Sequence, residues 1–105
     1  MVQATASAVE ILVGVQVTDE ALYARYRTEM LPLLHAQGGA FVVDVRVGEV
    51  LRAPADARFN RLFTIRFPSA QQMDTFFSHP DYLAVRERWF VPSVSEVVRL
   101  GEYSI

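Results

Sequence analysis

A chain of 105 residues, 51% hydrophobic and 21% charged, suits one folded domain and excludes a disordered polymer. Its formal net charge of −2, with acids and bases mixed, leaves no basic surface for nucleic acid or an anionic membrane. Cysteine is absent, so disulfides, thiolate nucleophiles and sulfur-ligated zinc are excluded, and a cytoplasmic location is the expectation.

Residues 1–8 are expected to be a disordered terminus, small-residue-rich from Ala4 to Ala8 and without the basic residues of an export leader. Residues 9–105 then form a single domain. Its first element is a strand from Val9 to Val17, with Val9, Ile11, Val13, Val15 and Val17 on one face and Glu10, Leu12, Gly14 and Gln16 on the other. Ile11 to Val17 is the longest apolar stretch, broken by Gly14 and Gln16 and far short of the roughly 20 residues a bilayer span needs.

Thr18 and Asp19 cap a first helix, and the acidic pair Asp19-Glu20 suits its dipole. Leu22, Tyr26, Met30 and Leu33 or Leu34 form the buried stripe, while Pro32 predicts a kink or break near Glu29 to Leu31. Gly38 and Gly39 close the helix. A second strand runs from Ala40 to about Leu51, placing Phe41, Val43, Val45 and Val47 opposite Val42, Asp44, Arg46 and Gly48. After a loop from Arg52 to Arg58, Phe59 to Phe67 is the third strand, with Phe63, Ile65 and Phe67 facing the core.

Ser69 with Gln72 is a capping-box pattern opening a second helix, which Met73, Phe76 and Phe77 hold down. Ser78-His79-Pro80-Asp81 breaks it, and a further helical segment from Asp81 to Trp89 carries Tyr82, Val85 and Trp89 on one stripe. Pro92 ends that segment, and Glu96 to Tyr103 reads as the last strand. The order strand, helix, strand, strand, helix, strand is the ferredoxin-like α+β motif, one antiparallel sheet with helices on a single side. Its uncovered face would hold Leu12, Val42 and Leu62 among Glu10, Asp44, Thr64 and Arg66, a mixture that suits a second copy better than water. An open sheet with one wet face is the simpler alternative.

Three stretches carry a resemblance: Tyr23-Ala-Arg-Tyr26 running to Met30-Leu-Pro32 and closing on Gly38-Gly39; Phe67-Pro68-Ser69; and Phe76-Phe77-Ser-His-Pro-Asp-Tyr82 followed by Arg86. In order and spacing they resemble the domain-of-unknown-function family numbered thirteen-thirty (DUF1330), of the dimeric α+β-barrel superfamily. The resemblance implies two ferredoxin-like subunits packed sheet against sheet into a barrel, with small-molecule pockets between sheet and helices or inside the barrel. It implies no particular chemistry, since superfamily members include cofactor-free monooxygenases, isomerases, dehydratases and haem enzymes.

Candidate ligand-binding residues are Tyr26, Arg66, His79, Tyr82, Arg86 and Trp89. The tyrosines and Trp89 offer apolar walls with hydrogen-bonding tips, and Arg66 or Arg86 can clamp a carboxylate through two parallel bonds. Each has a plainer reading: aromatic residues at helical spacing are core, and Arg66 on a central strand is satisfied if it pairs with Asp44. His79 and Tyr82 are the candidate catalytic residues, although a histidine before a proline often caps the next helix. His35, in the last turn of the first helix, reads as a dipole partner. No cofactor is expected, because neither histidine stands in a metal-ligand spacing and no phosphate loop, dinucleotide fingerprint or nucleophile elbow is present.

The expectation is thus a homodimer, joined through its sheet faces, that binds a small acidic or aromatic molecule. The alternatives are a cofactor-independent oxygenase or isomerase acting on an enolisable substrate, with His79 or Tyr82 moving the proton, and a dimeric structural module with no site.

Overall fold

A computed structural model describes residues 7–105. Residues 1–6, and with them most of the expected disordered terminus, lie outside the described residues. Ala8 is tied down, since its carbonyl accepts the amide of Ile105 at 2.9 Å.

The elements are β1 (Val9–Val17), α1 (Glu20–Ala36), β2 (Ala40–Arg46), β3 (Arg61–Phe67), α2 (Ala70–Ser78), α3 (Pro80–Val85) and β4 (Val94–Ser104). They form one antiparallel sheet in the order β2-β3-β1-β4, the ferredoxin-like layout. The alternation read in β1 and β3 is the one observed: Val9, Ile11, Val13, Val15 and Val17 with Phe63, Ile65 and Phe67 are buried against the helices. From the helices come Tyr23, Tyr26, Met30 and Leu34 of α1, Met73 and Phe76 of α2, and Tyr82 of α3.

The caps work as their residue types dictate. Asp19 Oδ1 accepts the Leu22 amide at 3.0 Å, and Ser69 Oγ accepts the Gln72 amide at 3.2 Å. Gly38 leaves α1 at φ +74°, a left-handed conformation glycine adopts without strain. Pro32, expected to kink or break the helix, is carried inside a continuous α1. Pro32 and Thr28 are both exposed, so the carbonyl left without a donor there faces solvent.

Strand β2 departs from the sequence reading in length and in phase. It ends at Arg46, and an extra residue sits between Phe41, which faces Ile65, and Val43, which faces Thr64. Such a bulge shifts every later side chain to the other face. Val43 and Val45 therefore lie on the uncovered face, 45% exposed each, whereas Asp44 and Arg46 turn to the helix side. There Asp44 pairs with Arg27 of α1, and Arg46 pairs with Glu20 at 3.1 Å. The expected Asp44–Arg66 pair does not form: Arg66 stays on the uncovered face and its Nε donates to Glu10 Oε1 at 3.0 Å.

The segment after α3 also changes phase. A π turn over Arg86–Phe90 holds more residues than an α turn, so Phe90, 7% exposed, takes the fully buried place on the stripe that starts at Tyr82, while Trp89 packs only partly buried against the core. No described helix is long and apolar enough to cross a membrane.

Candidate functional site

A cavity of about 220 Å³ lies between the sheet and the helices. Ile11, Val13, Phe63 and Ile65 supply its sheet wall, and Tyr26, Phe77, Tyr82 and Phe90 its helix wall. Arg86, Val97 and Arg99 stand at the side where the helices stop short of the edge strand β4. Alternation in β1 and β3 turns every second apolar residue to this side, which makes the sheet wall uniformly apolar.

The polar features are few and specific. The hydroxyls of Tyr26 and Tyr82, both buried, meet at 2.9 Å across 56 residues of sequence. Burial pushes the Tyr26 phenol well above its ordinary range, and the neighbouring Tyr82 adds to the shift. Burial also raises Tyr82, against the opposing effects of its bond to Tyr26 and the positive charge of Arg86. Both phenols are therefore neutral near physiological pH, donors rather than bases. Aromatic contacts fix them, with Tyr82 4.3 Å from Phe76 and Tyr26 4.7 Å from Phe90 between ring centres.

Tyr26, Tyr82 and Arg86 are the sequence candidates that the fold brings together. The other three lie elsewhere. His79 caps α3, its Nδ1 accepting the Asp81 amide at 3.1 Å, and lines a separate hollow of about 180 Å³ together with Leu33 and Phe76. Arg66 is on the opposite face of the sheet, bound to Glu10, whose other carboxylate oxygen accepts the Tyr103 hydroxyl at 2.7 Å. Trp89 is partly buried against the core outside the cavity, with the guanidiniums of Arg25 and Arg88 each 4.8 Å from its ring centre.

The site residue that sequence reasoning missed is Arg99. The only available signal, its period-two relation to Val97, requires the exact phase of β4. That phase is hidden by a bulge between Leu12 and Val13 in the pairing of β1 with β4.

A larger hollow of about 350 Å³ is lined by Glu20, Arg27, Asp44, Arg46 and Arg61. Its charges already satisfy one another through Arg27–Asp44, Arg46–Glu20 and Arg61–Glu20, so it offers a ligand little unspent attraction. The cavity beside Tyr82 is the better site: it is apolar, partly enclosed and holds a few convergent polar groups.

The family model described as a domain of unknown function, DUF1330, matches residues 11–90, most of the chain. No curated protein matches it. Among solved structures, a protein of unknown function from Rhodopseudomonas palustris superposes with a TM-score of 0.79 at 16% identity, over 94% of this chain and 82% of that one. A dimeric protein of unknown function and ferredoxin-like fold from Bacteroides fragilis gives 0.66 at 11% identity, over 97% and 100%. SnoaB, a cofactor-independent oxygenase from Streptomyces nogalater, gives 0.64 at 15% identity, over 95% and 94%. At these identities the likeness is one of fold.

Proposed function

We propose that this chain, which belongs to the DUF1330 family of domains of unknown function, is a homodimer that binds a small acidic or aromatic molecule in the cavity between each sheet and its helices. The observation that carries the reading is the buried Tyr26–Tyr82 hydroxyl pair, set in apolar walls with Arg86 at the mouth. An apolar surround strengthens each polar contact made there, which gives such a site its selectivity. Dimerisation through the uncovered sheet faces is supported by Val43 and Val45, exposed on that side, and by the dimeric state of the Bacteroides fragilis protein. The lack of cysteine fits a cytoplasmic place of action. A module with no site is disfavoured because the cavity is left unfilled by the chain's own side chains.

A second reading, an oxygenase or isomerase acting on an enolisable substrate, is favoured by the protonated state of Tyr82. A neutral phenol can donate to an oxygen that becomes negative as a substrate enolises. SnoaB shares the fold and is a cofactor-independent oxygenase. In this reading Tyr82 is the donor, and His79, outside the cavity, has no part.

The test is a methyl NMR titration of the protein with benzoate, phenylacetate and 4-hydroxybenzoate at millimolar concentration. Binding is expected to shift the methyls of Ile11, Val13 and Ile65, which face the cavity. Tyr82→Phe should weaken the oxygenated ligand by about tenfold, the usual worth of one buried hydrogen bond. If no small acid or aromatic moves those methyls, the cavity is not a binding site.

A further inference from the structure

Two breaks in regular geometry flank the cavity mouth, and each is tied to an arginine. The π turn begins at Arg86, one helical turn beyond Tyr82. In β4 the extra residue lies between Arg99, which faces Val13, and Gly101, which faces Leu12; Glu102 then faces Ile11. Three steps along β4 thus match two along β1, so Arg99 and Glu102 share the helix-covered face on which strict alternation would allow only one of them. Arg99 Nη1 accordingly donates to Glu102 Oε1 at 2.8 Å, with both side chains about half exposed.

The lining is positive. It includes Arg86 and Arg99 but no carboxylate, and among the described residues Arg86 has no acidic partner. Guanidinium groups hold planar anions through paired bonds, which selects a carboxylate over a neutral group. Deeper in, the two phenols share one hydroxyl proton between them and retain one to donate, along with free lone pairs. The walls between mouth and phenols are apolar, and about 220 Å³ is below the roughly 300 Å³ at which drug-sized sites begin, so the space suits one ring.

We propose that the cavity takes a monocyclic carboxylate carrying a second oxygen opposite its carboxyl group, with Arg86 and Arg99 on the carboxylate and the Tyr26–Tyr82 pair on the far oxygen. Glu102 occupies Arg99 while the cavity is empty and gives it up to the ligand. The assignment rests on the reading that this cavity binds a small organic molecule.

Calorimetric titration with 4-hydroxybenzoate and with its neutral counterpart 4-hydroxybenzyl alcohol tests the arginine clamp apart from the cavity reading, with the Ile11 and Val13 methyl signals reporting occupancy. The carboxylate should bind at least about tenfold tighter than the alcohol, and Arg86→Gln and Arg99→Gln should each remove about tenfold from the carboxylate alone. Glu102→Gln should tighten the carboxylate about two- to fivefold by freeing Arg99, a gain that damage to the fold does not produce. Equal binding of the two compounds, or an Arg99→Gln variant of unchanged affinity, overturns the clamp and leaves the cavity reading standing. Glu102→Gln binding more weakly overturns the exchange, and methyls unmoved by either compound overturn both readings.

Discussion

Tyr26 and Tyr82 share one hydroxyl hydrogen bond inside the core, and this has a consequence for stability at high pH. Burial raises both phenols above the ordinary value of 10.0, so the native state keeps its protons where the unfolded chain has lost them. The stabilisation is complete below the unfolded value and fades as pH climbs through the raised native one. Urea unfolding should therefore show a midpoint that holds below about pH 9 and falls as pH rises past about 10, where free tyrosine ionises. The variant with both Tyr26→Phe and Tyr82→Phe should lose much of that fall. An equal alkaline loss in the variant would assign the effect to other groups. Tyr26 and Tyr82 were legible in the sequence because helical spacing places them on inward stripes, and Arg86 as a guanidinium able to clamp a carboxylate. Their meeting in space was not, because nothing local links α1 to α3.

Irregular elements, more than regular ones, set which side chains reach the site, and they mark where the sequence stops being readable. In β1, with an unbroken run of alternate valines and isoleucine, period two gives the buried face residue by residue. In β2 the same rule fails after Phe41, since Phe-Val-Val-Asp reads equally well with or without an extra residue. The bulge is anchored from outside the strand, by Thr64 Oγ1 accepting the Val43 amide at 2.9 Å. Thr64 is only 6% exposed, so Thr64→Val keeps shape and volume but leaves that amide without its acceptor. A loss of about 1 kcal/mol in urea unfolding is expected, the net worth of one partly buried hydrogen bond. An unchanged midpoint would mean that the bulge is fixed by other contacts. The π turn is a second case: helical periodicity extended past Val85 selects Trp89, whereas the wider turn selects Phe90 and directs Trp89 toward Arg25 and Arg88.

At the scale of the molecule, the bulge in β2 decides how oily the uncovered sheet face is. Without it Asp44 and Arg46 would project there; with it the face carries Val43 and Val45, Leu62 opposite Val45, and Leu12, with Val98 opposite Gly14 on the edge strand. At one corner Glu10 is only 7% exposed, already covered by Arg66 and Tyr103, so its charge does not oppose burial of the rest. Apolar side chains in one plane, with a satisfied polar cluster beside them, favour closure against a twofold-related copy. Placing Val43→Asp and Val45→Asp together puts two carboxylates per chain into that contact and brings like charges close across the twofold axis. Analytical ultracentrifugation should then find the native chain dimeric at micromolar concentration and the double variant monomeric. Far-ultraviolet circular dichroism should stay unchanged, because both positions point away from the core. A native monomer, or a double variant that still pairs, would remove the sheet-to-sheet contact, whereas the cavity on the helix side, built within one chain, would remain available to its ligand.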